Sequence, residues 1–196
     1  MQGLIENWRD EWGIGEFPFY FCQIAPYDYG PGGLNSAFVR DAQRKAAINT
    51  SNAGMACLMD CGEADNIHPG DKKAAGERLA FWALAKTYGQ KGIEYSGPAL
   101  KEMKVEGQMV HLIFDHAKNG FTTYGKPLTS FMVAGKDKRF RKATAWISNQ
   151  GITLFNERVK EPVAVRYAWQ DFTIGELFNT EGLPASSFRT DDWEIK

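Results

Sequence analysis

Asp65 and His68 lie three residues apart in the stretch Asp65-Asn66-Ile67-His68-Pro69. An apolar run, Met55 to Met59, precedes it, and a helix-like run, Asp71 to Tyr88, follows. On a loop at a strand's C-terminal end, a carboxylate and an imidazole at this spacing can be held side by side. The carboxylate then fixes the ring tautomer and stabilises the imidazolium, while the ring takes a proton from a nucleophile. The same spacing also suits Asp65 as the cap of the following helix and His68 as a surface residue. Cys57 and Cys61 flank the end of the apolar run, and Cys22 makes three. They read as buried free thiols. A metal site at Cys57, Cys61 and His68 would need Asp60 or Asp65 to complete its ligands.

Further along, Arg166, Tyr167 and Trp169 sit in a β-rich run. Alternation puts Tyr167 and Trp169 on the face of Val165 and Arg166 on the other. Arg166 can meet a carboxylate as a two-pronged donor, either on a ligand or within a structural ion pair. His111 alternates with apolar residues and reads as structural, and Asp115-His116 reads as a surface turn. The segment Lys136 to Lys142 holds five basic residues among seven. The formal net charge of the chain is only −1, which gives no field for nucleic acid or an anionic membrane, so that segment reads as a solvated turn. No apolar run approaches the roughly 20 residues of a membrane span. Met1 leads directly into a helical pattern with no export signal, so the chain reads as part of something longer.

The elements that must position these residues follow from periodicity. Leu4, Ile5, Trp8 and Trp12 share a helical face. The aromatic and β-branched run Phe17 to Ala25 predicts a strand buried on both faces, and Pro26 ends it. A Gly, Pro and Tyr-rich loop leads to a helix from Ala37 to about Ile48. Met55 to Met59 is the second strand, and Asp71 to Tyr88 the next helix. This is α/β order with parallel strands, whose chemistry belongs beyond the strands' carboxyl ends, where residues 27–35 and 60–70 lie. After Gly92 the pattern changes to short strands separated by turns, at 103–114, 131–134, 143–147, 151–155 and 163–169. A β-sandwich is expected there, with Asn179 to Lys196 as an extended tail laid over another surface.

Several stretches together resemble the sialate O-acetylesterases, serine esterases of the SGNH (GDSL-like) hydrolase superfamily. They are Leu4-Ile5-Glu6-Asn7-Trp8-Arg9, Phe17-Pro18-Phe19-Tyr20-Phe21, Ala25-Pro26-Tyr27, and Asp65-Asn66-Ile67-His68-Pro69 with Lys73, Gly76, Arg78, Leu79 and Ala80. Phe131 to Gly135, Pro162 to Trp169, Glu181 to Ser186 and Phe188 to Asp191 extend the resemblance over nearly the whole chain.

The resemblance implies an α/β plus all-β architecture. Residues 1–92 would be the C-terminal half of an SGNH-type three-layer α/β/α catalytic domain, and residues 93–196 a β-sandwich with an extended tail. It implies hydrolysis of acetyl esters on sugars, typically O-acetylated sialic acid, with His68 as base, Asp65 as its orienting carboxylate and no cofactor. Secretion or a periplasmic site follows from the same resemblance. The family's Gly-Asp-Ser-like nucleophile block is absent: none of the seven serines follows Gly-Asp or sits in Gly-x-Ser-x-Gly. The expectation is therefore an incomplete site, with activity doubtful for this chain alone. A two-strand remnant would leave an open sheet edge, and a chain supplying the N-terminal half would cover it. A non-catalytic carbohydrate-binding or interaction module is the alternative.

Overall fold

The computed structural model describes residues 1–31 and 33–193. The first part holds α1 (Gln2–Trp12), β1 (Phe19–Cys22), α2 (Asn35–Asn49), β2 (Ala53–Ala56) and α3 (Lys72–Trp82), and α3 runs on into a π-helical turn at Ala83–Thr87. β1 and β2 pair in parallel, from Phe19 against Ala53 to Cys22 against Ala56. α2 and α3 both pack on β2. Gly13 closes α1 in the left-handed conformation at φ 62°, and its N–H bonds the Arg9 carbonyl. Asp71 caps α3 by accepting from the Ala74 N–H at 3.0 Å.

Two expectations for this part need correction. α1 buries Ile5 and Arg9, while Leu4, Trp8 and Trp12 stay exposed. The Arg9 guanidinium turns inward to the carbonyls of Phe17 and Ser51, at 2.8 and 2.9 Å, and its stem takes the place expected of tryptophan. The two indoles stack on each other, with centroids 6.2 Å apart; Trp12 also stacks on Phe17, and Trp8 meets Phe19 edge-on. β1 is also shorter than its apolar run and buries only Phe21 within the strand.

The second part holds β3 (Ala99–Glu106), β4 (Met109–Asp115), β5 (Phe121–Thr122), β6 (Phe131–Ala134), β7 (Arg141–Lys142) and β8 (Thr144–Ser148). β9 (Gly151–Phe155), β10 (Ala164–Tyr167), β11 (Phe178–Asn179) and β12 (Phe188–Arg189) follow. One antiparallel sheet has the order β3-β4-β9-β8 and a second β12-β10-β6-β7, and β5 pairs with β11. Val110, Leu112, Ile152 and Leu154 from the first sheet share one core with Phe131, Val133, Val165, Tyr167 and Phe188 from the second. Met59, from the α/β part, belongs to the same core.

Alternation along β10 stops at Tyr167, because Ala168 has φ 48°. Trp169 therefore swings to the side of Arg166, whose guanidinium lies 5.3 Å from the indole centroid, and does not share the face of Val165. The tail crosses back to α2, where Arg40 is fully buried. Arg40 Nη1 donates to Ser36 Oγ (3.0 Å) and to the Asp171 carbonyl (3.2 Å), Nη2 to the Gln170 carbonyl, and Nε to Ser187 Oγ (3.2 Å). Burial lowers its pKa to about 10, against the opposing pull of Asp171.

Removing one member of such a buried network leaves the rest desolvated and unpaired. Arg40→Met is expected to lower unfolding stability by about 3–5 kcal/mol in urea titration. A loss near zero would show that the network carries no stability.

Candidate active site

β1 and β2 both point their carboxyl ends at one region, and the loops that leave them meet there. The Asp28 N–H donates to the Ala64 carbonyl at 3.2 Å. Gly62 lies against Pro26 so closely that a Cβ there would overlap the proline's carbonyl oxygen. Only glycine lets the two loops approach this far.

The loop carrying Asp65 and His68 is built on Glu63 and Asn66. Glu63 Oε1 accepts from the Gly70 N–H (2.6 Å), and Oε2 accepts from Asn66 Nδ2 (3.2 Å). Asn66 Oδ1 accepts from the His68 N–H at 3.0 Å. These short-range bonds fix the backbone and hold both Asp65 and His68 outward, exposed to solvent. No hydrogen bond or ion pair joins Asp65 to His68, and none of the seven serines bonds the His68 ring.

The base of the loop is tied more firmly. Arg78, on α3, grips Asp60 with two bonds, Nη1 to Oδ1 at 2.7 Å and Nη2 to Oδ2 at 2.6 Å. Nη1 also donates to the Cys57 carbonyl at 2.7 Å. One side chain thus links the first residue after β2, the start of the loop and the helix beyond it. The sequence offered Arg78 only as part of a resemblance; the long separation from Asp60 hid the pair.

The three cysteines are free, Cys61 buried and the other two partly so. Burial pushes the Cys57 thiol up to about 12 and the Cys61 thiol up to about 11. In both, burial in apolar surroundings disfavours the thiolate. Among the described residues, no three His, Cys, Asp or Glu side chains come together as a metal site.

The structure does not bring Arg166 to this loop. Its Nε and Nη2 donate to the two carboxylate oxygens of Asp191, at 2.9 and 2.7 Å, and its plane lies over Phe140 at 4.1 Å. Both prongs are used inside the protein, the ion-pair alternative for this residue. His111 bonds Thr153 Oγ1 through Nδ1 at 3.1 Å. His116 departs from the surface turn expected for it: its ring is partly buried, with Nδ1 2.8 Å from Glu94 Oε1. Glu94 lies in the irregular link before β3, so nothing in the sequence marked it.

No family model matches the chain. Among curated proteins, it is 28% identical to the sialate O-acetylesterase of Mus musculus over 187 residues, 85% of this chain and 35% of that protein. It is 30% identical to the sialate O-acetylesterase of Rattus norvegicus over 131 residues, 57% of this chain and 24% of that protein. The chain therefore spans 35% and 24% of the length of these two relatives. Among solved structures, a carbohydrate acetylesterase from Xanthomonas citri superposes with a TM-score of 0.91 at 34% identity. That match covers 98% of this chain and 45% of the other.

Arg78→Met would leave the Asp60 carboxylate desolvated without its partner. A stability loss of about 3 kcal/mol is expected, together with faster amide exchange at His68 and Gly70. Unchanged exchange at these two amides would show that the loop is held by Glu63 and Asn66 alone.

Proposed function

The chain belongs to the sialate O-acetylesterase family over the part of the family's length that it spans, and from this premise we propose that it carries the general base of a carbohydrate O-acetyl ester hydrolase. His68 takes the proton of a serine hydroxyl as the serine oxygen attacks the acetyl carbonyl. It returns that proton to the sugar oxygen as the carbon–oxygen bond breaks, leaving an acetyl-serine. A water, deprotonated by the same ring, then releases acetate and restores the serine. Asp65 orients the ring through Nδ1. Residues 1–92 are read as the C-terminal half of an SGNH-type catalytic domain and residues 93–196 as a β-sandwich beside it.

The observation that carries this reading is the structural match to a carbohydrate acetylesterase along almost the whole chain. The position of His68, exposed beyond the carboxyl end of β2, agrees with it. The serine and the donors that stabilise the oxyanion come, on this reading, from a segment outside these residues, in the same polypeptide or in a second chain. The exposed Asp65 and His68 side chains are then unpaired because their site is incomplete, since catalytic hydrogen bonds tighten in the assembled complex. The substrate is an acetylated sugar, with O-acetylated sialic acid the first to try.

A second reading rests on the outer face of the β3-β4-β9-β8 sheet. Cross-strand partners place Lys104, His111, Thr153 and Trp146 in one row. Trp146 is exposed there. An indole beside hydrogen-bonding groups on a sheet suits stacking on a sugar ring, which would make this part a carbohydrate-binding module.

The purified chain alone is expected to release no acetate from O-acetylated sialic acid. Joined to the serine-bearing segment of a relative, it should release acetate, and His68→Ala should cut the rate about a thousandfold. Release by the chain alone, or a joined enzyme indifferent to His68→Ala, contradicts the assignment. For the second reading, Trp146→Ala should abolish retention on an immobilised sialylated glycan. Equal retention of both forms removes it.

A further inference from the structure

A second histidine is held far more tightly than His68. His116 follows β4 with φ 60°, a left-handed conformation that a side-chain-bearing residue adopts only where its surroundings hold it. Its Nδ1 lies 2.8 Å from Glu94 Oε1. Its carbonyl accepts from Asn179 Nδ2 at 3.0 Å, and the same nitrogen donates to the Ser96 carbonyl at 3.0 Å. Asn179 is fully buried. The Tyr95 ring meets the imidazole edge-on at 5.0 Å, and Trp82 meets Tyr95 at 4.5 Å. Gly97 passes so close to Pro184 that a Cβ would overlap its carbonyl oxygen, which locks the link before β3 against the tail. Glu94 thus fixes the ring, Asn179 fixes the backbone that carries it, and Pro184 fixes the link that carries Glu94.

That ring lines a pocket of about 210 Å³ at the seam between the two parts of the protein, with Met55, Trp82, Leu100, Pro184 and Phe188 among its walls. No residue of the Asp65–His68 loop lines it. The walls are mainly carbon. The charged groups at the pocket are already matched, Glu94 by His116, and Arg44 by Asp41 at 2.8 Å. The hydroxyls are committed as well. Ser96 Oγ donates to the Gly97 carbonyl at 3.0 Å. Ser186 Oγ accepts from Gln23 Nε2 at 2.7 Å and donates to the Ser187 carbonyl at 3.0 Å. Neither serine is presented to the histidine, so the arrangement is built for binding and not for a second acyl transfer.

With Nδ1–H donated to the Glu94 carboxylate, a neutral imidazole turns an acceptor lone pair outward at Nε2. Among the described residues, the ring's hydrogen bond is the one at Nδ1, and Nε2 has no partner. An anion would face an acceptor and the nearby Glu94. A sugar would strand most of its hydroxyls against carbon. An apolar cavity of about 150 Å³ already holds a benzene-sized guest, so this one has room for a substituted ring. We propose that the pocket between Trp82 and His116 binds a small neutral aromatic alcohol, its ring among the apolar walls and its hydroxyl donating to His116 Nε2. The assignment is independent of the acetylesterase reading.

The test is a titration of the chain with phenol, with anisole (the same ring with its donor methylated) and with benzoate, followed by NMR at the Trp82 indole and the His116 ring. Phenol should shift both signals and bind about tenfold tighter than anisole, the worth of one well-placed hydrogen bond. His116→Asn tolerates the left-handed backbone and should bring phenol down to the affinity of anisole. Equal binding of phenol and anisole to the unaltered chain overturns the proposal, even where the variant fails to fold. Benzoate binding more tightly than phenol overturns it too, by showing an anion site.

Discussion

The buried guanidinium of Arg40 is the constraint on which the arrangement of this protein turns. It comes from α2, yet its partners lie at Ser36, Gln170, Asp171 and Ser187, on both sides of the expected boundary near residue 92. Asp171 in turn accepts from the N–H and the hydroxyl of Ser36, at 2.7 and 2.8 Å, and so caps α2 from more than a hundred residues away. A charge buried this deeply is tolerated only when its donors are met. The fold meets them by bringing the tail back across the helix. The α/β part and the antiparallel sheets therefore cannot separate without exposing Arg40 and Asp171 together. Met59, packed in the core of the sheets, joins them by apolar contact as well.

The periodic elements were legible in the sequence because each is decided locally. The hairpin of β3 and β4 turns at Gly107-Gln108, where a glycine with φ 61° meets the turn's demand. The cap of α3 is Asp71, beside the helical pattern, and not Asp65, which the spacing also suited for that role. The start of the loop carrying the expected site residues was less clear: the apolar run Met55 to Met59 predicts the strand, but β2 is Ala53–Ala56 and the loop leaves it earlier. What was not legible depends on separation. Arg78 with Asp60, Arg40 with Asp171, and Glu94 with His116 are pairs whose members carry no mark until the chain folds. The inward turn of Arg9 belongs with them: an arginine on an amphipathic helix reads as polar surface, and only the open carbonyls of Phe17 and Ser51 draw it in.

The two histidines illustrate what organises a base. The loop of His68 is fixed through its backbone, by Asn66 and Glu63, and its ring is left to solvent. The ring of His116 is fixed through its own nitrogen by a carboxylate. Sequence spacing pointed to the first because aspartate and histidine stood near each other; the second has its carboxylate 22 positions away. Proximity in sequence set the candidate, but orientation requires a partner that the fold itself places.

Trp82 carries a consequence for how the small parallel sheet can grow. The carbonyls of Asn52 and Ala56 take N–H groups from Phe19 and Gln23, so Met55 turns its own carbonyl to the opposite edge. There the Trp82 indole donates to it at 3.0 Å, and a Cβ on Gly54 would overlap the same ring. That margin is sealed by a side chain. A sheet with two open margins can polymerise without end, each added strand exposing a fresh template. With one margin sealed, addition beside β1 is a terminating event: two copies meeting there would form a closed pair, and a strand from elsewhere would complete the sheet. A single tryptophan thus limits the stoichiometry of association through the sheet, and turns a fibre-forming hazard into a finite assembly.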